Sequence, residues 1–168
     1  MKVTAPKPMG TDSIICIVDG LCERRHEGEL GNPGGVATFG FVIRFQSGSK
    51  IAEESGFIGE GPEMDHVVAK YEALLRALRH LIGLKMTLLP VEVRSDSQQL
   101  VMEMKGQIIR QKMEKRPHYP KYLEAQELAS QFSSIEYTWI HGTENEADIF
   151  SKAAYQRILL AYKETHSK

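Results

Sequence analysis

HVVAKYEALLRAL, residues 66–78, carries its apolar side chains at helical spacing: Val67, Tyr71, Leu74, Leu78 and, just beyond, Leu81. At about 100° per residue these fall in one stripe, which predicts an amphipathic helix from about Asp65 to Ile82. Lys70 sits on the edge of that stripe, next to Leu74 and Leu81. Glu72 lies about 160° from Leu74, toward Arg76 and Arg79 and on the solvent side. A lysine, not the nearby glutamate, therefore borders the buried face at the start of this helix.

Working outward, SIICIVDG (13–20) reads as a strand ending in an Asp-Gly turn. A loop with Asn-Pro and Gly-Gly punctuation follows. VATFGFVIRF (36–45) and KIAEESGFIG (50–59) flank QSGS, a hairpin connection. After the helix, LLPVEVRSD (88–96) is a strand that again ends in an aspartate, and SQQLVMEMKGQII (97–109) reads as an amphipathic helix. PKYLEAQELASQF (120–132) is a further helix with Pro120 at its start. IEYTWIH (135–141) alternates as a strand, and NEADIFSKAAYQRILLAYKE (145–164) is a long helix with its acid end first. The order is three strands, helix, strand, two helices, strand, helix. It predicts an α/β domain: a five-stranded mixed sheet, made of an antiparallel three-strand meander plus two strands, flanked by helices.

The 168 residues suit one domain with a proper core, expected over 13–164, with a flexible lead-in at 1–12 and a short tail at 165–168. Hydrophobic content of 42% and charged content of 26% place the chain among ordinary globular proteins. Its longest apolar runs, such as IICIV, are too short to cross a bilayer, so no membrane partner is expected. The first residues lack the apolar core of a secretory signal. Cys16 and Cys22 form neither a disulfide framework nor a zinc motif, which fits a reducing cytoplasm. A net charge of −1 argues against gripping nucleic acid by bulk charge. Locally, however, Lys105, Arg110, Lys112, Lys115, Arg116 and Lys121 are opposed only by Glu114. That run is either a solvated helix end and loop or a phosphate-contacting patch.

Asp19, Asp96 and Asp148 sit at the ends of elements. Singly, each has a plain structural reading as turn former, helix cap or dipole partner. Together they point to a metal site, because carboxylates gathered from separate elements repel one another unless divalent cations lie between them. Oxygen-only ligands suit Mg²⁺ or Mn²⁺. Two such ions about 3.5–4 Å apart are a standard device for phosphodiester hydrolysis.

The chain resembles type 1 ribonuclease H, in the compact form without a long basic protrusion, from about Ser13 to Ala154. VDGLC resembles the first catalytic strand, and GNPGG followed by FGFVIR resembles the turn and strand after it. VVAKYEALLRAL is similar to the first helix, RSDSQQLV to the Asp-Ser-Gln segment, and WIHGTENEADIFSKAA to the terminal motif. The resemblance implies a ribonuclease H-like fold and cleavage of the RNA strand of RNA–DNA hybrids by two metal ions. It implies Asp19 bridging both ions, with Asp96 and Asp148 holding one each. It also implies substrate contacts at Gly20, Asn32, Ser97 and Gln98, and a leaving-group or product-release role for His141. For His141 a surface loop histidine is the alternative.

Lys70 occupies the position of the family's catalytic glutamate, with Ala69, Tyr71, Ala73 and Leu74 fixing the alignment. Rescuing Glu72 would require turning the whole apolar stripe. An ammonium among three aspartates neutralises them much as a metal would, and while protonated it cannot ligate Mg²⁺. Four readings stand open: natural loss of catalysis with binding retained, a substitution introduced to silence an active enzyme, weak activity with an altered metal arrangement, or a lysine that snorkels to solvent. GPEMDHVV lacks the family's paired asparagines, CERRHEGEL lengthens a loop beside the substrate path, and Glu144 stands where an asparagine is common. The two functional expectations are a hybrid-cleaving endonuclease impaired by Lys70 and a non-catalytic nucleic-acid-binding module.

Overall fold

The computed structural model describes residues 12–25 and 34–166. Strands β1 (Ile14–Arg25), β2 (Gly34–Phe45) and β3 (Lys50–Gly61) form an antiparallel meander. Helix α1 (His66–Gly83), strand β4 (Val91–Ser95), helices α2 (Gln98–Met104) and α3 (Tyr119–Ala129), strand β5 (Ile135–Trp139) and helix α4 (Asp148–His166) follow. The sheet order is β3-β2-β1-β4-β5, with β4 parallel to both β1 and β5. This is the predicted α/β architecture.

Strand alternation assigns the two faces. Ile14, Cys16 and Val18 of β1 face a core shared with Tyr71, Leu74 and Leu78 of α1, Leu100 and Met104 of α2, and Tyr122 of α3. Ile15 and Ile17 face the other way, into a smaller cluster with Val42 and with Ala147 and Phe150 at the start of α4. Three helices thus cover one face and α4 covers the other. No described helix is long and apolar enough to cross a membrane.

Of the departures from the sequence expectations, four bear on the site. β1 does not stop at Asp19: pairing continues from Asp19↔Gly40 to Arg25↔Gly34, so the Asp-Gly step is strand interior. Partner β2 continues opposite it and keeps the backbone paired, which overrides the local turn preference. Helix α2 ends at Met104, not 109, because Gly106 adopts φ 76° and the Gln107 amide returns to the Met102 carbonyl at 2.9 Å. That is a glycine C-terminal cap. The expected helix from 145 begins at Asp148, since Asn145 is a buried turn residue. Glu72, expected on the solvent side, is buried. Helix α3 lies across α1 there, and Lys121 Nζ meets Glu72 Oε1 at 2.7 Å while Arg76 Nε meets Oε2 at 2.8 Å. A helical wheel records one helix and cannot register a second one packed over its polar flank.

Two glycines bring both helical layers onto the sheet at one point. A Cβ on Gly20 would lie 2.2 Å from the Ala69 carbonyl carbon and 2.4 Å from the Lys70 amide nitrogen. On the opposite face, a Cβ on Gly40 would lie 2.7 Å from the Ser151 amide nitrogen. The first turns of α1 and α4 therefore both press against the sheet beside Asp19, where only glycine leaves room.

Candidate functional site

The parallel ladder between β1 and β4 ends at Ile17↔Arg94, whereas β1 itself runs on. After Ser95 the chain turns into α2, capped by Ser97, whose hydroxyl accepts from the Leu100 amide at 3.1 Å. This departure leaves β1 without its β4 partner at Asp19 and Gly20, in the crevice beyond the carboxyl end of a parallel strand where such sheets place their sites.

Lys70 reaches into that opening from α1. Its Nζ donates to Asp19 Oδ1 at 2.8 Å, to Asp96 Oδ1 at 3.1 Å and to the Gly20 carbonyl at 3.1 Å. An ammonium has three hydrogens, so its donor capacity is filled by these three acceptors. The second oxygen of Asp19 is also taken, since Ser151 Oγ donates to Oδ2 at 2.9 Å. Asp19 is 3% exposed and makes both contacts inside the protein.

Electrostatics acts on the two partners differently: burial pushes the Asp19 carboxyl above its ordinary pKa although Lys70 pulls it down. Burial works against the ammonium of Lys70, but the attraction and hydrogen bonds of Asp19, and then of Asp96, outweigh it and hold the lysine above its ordinary pKa. Lys70 is thus a fixed positive charge at neutral pH. The reading of a lysine snorkelling to solvent is excluded by these contacts.

Asp148 opens α4, and its Oδ2 pairs with Lys152 Nζ one turn later at 2.9 Å. Ser151 joins the two halves of the site, because its hydroxyl also lies 3.1 Å from the Asp148 carbonyl. Asp96, His141, Gly142, Thr143, Asp148 and Lys152 line an open cleft of about 420 Å³. Asn145 anchors the near wall: its amide donates to the Val18 carbonyl at 3.1 Å, and its side-chain oxygen accepts from the Ala147 amide at 2.8 Å.

The structure therefore groups Asp19, Gly20, Lys70 and Asp96, and brings Asp96, His141 and Asp148 to one cleft. Ser97 serves as a helix cap and Gln98 is exposed beside it. Asn32 lies outside the described residues. Of the basic run, Lys121 is committed to Glu72, and Arg110 Nε donates to Tyr119 Oη at 2.9 Å; Lys105, Arg110, Lys112, Lys115 and Arg116 are exposed.

Sequence reasoning passed over Ser151 and Trp139. Ser151 had a signal, since three residues after Asp148 is the same helix face. Trp139 had one too, as the chain's single tryptophan in an alternating strand that leads to His141. The indole Nε1 donates to the Asp96 backbone carbonyl at 3.1 Å, and the ring lies 4.6 Å from that of His141.

The paired cations implied by the resemblance do not fit this donor set while Lys70 is present. The space between Asp19 Oδ1 and Asp96 Oδ1 holds the Lys70 ammonium. Among the described residues no group of three or more His, Cys, Asp or Glu side chains is placed to hold a metal ion.

A family model described as reverse transcriptase-like matches residues 27–154. Among solved structures, the N-terminal ribonuclease H domain of Rv2228c from Mycobacterium tuberculosis, studied as a maltose-binding-protein fusion, is 28% identical, with 89% of this chain and 97% of that one covered at a TM-score of 0.72. LC11-RNase H1, isolated from compost by a metagenomic approach and solved with an RNA/DNA hybrid, is 29% identical, with 88% and 99% covered at a TM-score of 0.71. RNase H1 of the halophilic archaeon Halobacterium salinarum shares the fold at 24% identity, with 86% and 98% covered and a TM-score of 0.70. With the strand order, the helix placement and the Asp96 carboxylate at the end of β4 already established, the chain belongs to the reverse transcriptase-like family and has the fold of type 1 ribonuclease H.

Proposed function

We propose that this chain recognises RNA–DNA hybrids through the face built by the middle of β1, the end of β4 and the first turns of α1 and α4. Lys70 holds off the paired-cation hydrolysis for which that face is otherwise arranged. The observation that carries this reading is the Lys70 ammonium, 2.8 Å from Asp19 and 3.1 Å from Asp96. It neutralises the carboxylates as Mg²⁺ or Mn²⁺ would, yet offers no coordination site for an attacking water or a scissile phosphate.

Hybrid recognition is supported by the likeness to LC11-RNase H1, which was solved with an RNA/DNA hybrid. It is also supported by the exposed cations of 105–116, which suit phosphate contacts. Gly20 follows Asp19 and Ser97 and Gln98 follow Asp96 in the chain, and Gln98 is exposed, which suits the substrate contacts that the resemblance implies. The three aspartates of a nuclease remain, so hydrolysis is blocked at one position and the rest of the carboxylate set is retained.

The test pairs binding with cleavage. Anisotropy of a labelled hybrid reports binding, and denaturing gels with Mg²⁺ and with Mn²⁺ report strand scission, for the unmodified protein and for Lys70→Glu. Binding without scission by the unmodified protein, and scission by the variant, is the expected result. Efficient scission by the unmodified protein would overturn the role given to Lys70. Failure to bind the hybrid in low salt would overturn the substrate.

A further inference from the structure

We infer that Trp139 is a substrate-contacting residue: its indole forms an aromatic ledge, buttressed by His141, against which one nucleotide of the bound strand packs beside the Asp96–Asp148 cleft. The inference rests on hybrid recognition as proposed above and adds to it a residue and a type of contact.

A large aromatic side chain at the end of a strand ordinarily turns inward, as Tyr137 does two residues earlier on the same face of β5, where it is 8% exposed. Trp139 is 38% exposed. It is nevertheless held in place. The indole N–H is fixed on the Asp96 carbonyl, and the ring of His141 stands tilted against it at 65°. The residue that carries the indole's acceptor, Asp96, also carries the carboxylate bonded to Lys70. His141 and Asp96 both line the cleft.

An exposed aromatic ring immobilised on both a hydrogen bond and a neighbouring ring has already lost its rotamer entropy, so a ligand packing on it incurs little further ordering cost. Nucleotides suit such a ledge, since every base has a π-face and every sugar an apolar edge. The position also fits the charge pattern. In the adjoining cleft the Asp96 and Asp148 carboxylates are already engaged by Lys70 and Lys152, so an uncharged aromatic face supplies a grip that does not compete with those ion pairs.

Trp139 is the chain's single tryptophan, so its fluorescence reports on this residue alone. Intrinsic emission is titrated with an unlabelled blunt RNA–DNA hybrid and with the separate single strands. Affinities are measured in parallel by anisotropy for the unmodified protein, Trp139→Phe and Trp139→Leu. Both substitutions delete the indole N–H, so they cost the Asp96 hydrogen bond equally and differ in the aromatic face. Packing of a nucleotide predicts quenching that saturates with binding, Trp139→Phe within about threefold of the unmodified protein and Trp139→Leu weaker by about tenfold or more. Quenching by the hybrid places the ledge against the duplex, and stronger quenching by a single strand places it against an unpaired base; both support the contact. Equal losses in the two variants, or emission unchanged at saturation, would overturn the ledge while leaving hybrid recognition standing. An anisotropy signal that stays flat for the unmodified protein would overturn both.

Discussion

Lys70 Nζ lies 2.8 Å from Asp19 Oδ1, and on the far side of the same carboxylate Ser151 Oγ lies 2.9 Å from Oδ2. Asp19 is therefore satisfied on both oxygens by groups from two helices on opposite faces of the sheet. The pair is a structural lock between the two helical layers, and this shapes what its disruption does.

Removing the ammonium strands a buried charge. Lys70→Met should destabilise the fold by about 3–5 kcal/mol, because Asp19 and Asp96 are left facing each other without a counter-charge. Urea unfolding at neutral pH measures this directly. A loss below about 1 kcal/mol would mean that the site admits water or a solution cation freely in place of the lysine.

Exchanging the cation for a carboxylate should create metal dependence. The melting temperature of the unmodified protein is expected to be the same with Mg²⁺ as with a chelator. Lys70→Glu should melt lower than the unmodified protein in the chelator and recover with Mg²⁺. At one hundred times the dissociation constant the recovery is about 2.7 kcal/mol, or some 5–11 °C for a domain of this size. Calorimetric titration of the variant with Mg²⁺ checks the same claim independently of cleavage.

Gly20→Ala tests the close approach that delivers Lys70. The added methyl would meet α1 backbone at 2.2 Å, which no rotamer change relieves. A loss at or above the upper end of the overpacking range, about 3 kcal/mol, is expected. Gly83→Ala is the control, since a Cβ there meets nothing within 4 Å. If the two substitutions behave alike in thermal unfolding, the packing account of Gly20 is wrong.

Acid sensitivity should centre on Glu103, deep between α1 and the segment leading to α3. Burial pushes its pKa up, but hydrogen bonds with His118, Tyr71 and Gln99 outweigh that and hold it below the ordinary glutamate value. A depressed carboxylate contributes stability that is present above its unfolded-state pKa, about 4.3, and is lost as pH falls through the lower folded-state value. Glu103→Gln should cost about 1.5–3 kcal/mol at pH 7 and flatten the acid limb of the stability curve. Unfolding free energies from pH 3 to pH 7 would contradict this if the slopes of variant and unmodified protein coincide.

Binding should carry a salt signature. Reversing Lys112, Lys115 and Arg116 to glutamate is expected to weaken hybrid affinity and to reduce the slope of log K against log salt by about 0.9 for each phosphate left without its cation. A slope unchanged by the triple substitution would return the basic segment to the role of a solvated loop.

What the sequence by itself determined is the set of elements and the identity of the anomalous residue. Periodicity placed α1 to within a residue or two and put Lys70 at the edge of its apolar stripe. Residue types at element ends, read with the family resemblance, led to the expectation that Asp19, Asp96 and Asp148 share a site. These are local or one-dimensional signals: helical repeat, strand alternation, residue types at element ends. What only the tertiary structure decided is how those residues meet. That Asp19 is strand interior depends on β2 continuing opposite it. That Lys70 exhausts its three donors depends on β4 leaving the sheet where β1 does not. The burial of Glu72 depends on α3 crossing α1, and the fixed position of Trp139 on the turn that carries Asp96 out of β4. Each is a contact between segments far apart in the chain, settled by packing and by the need to pair buried polar groups, and no window of sequence contains both partners.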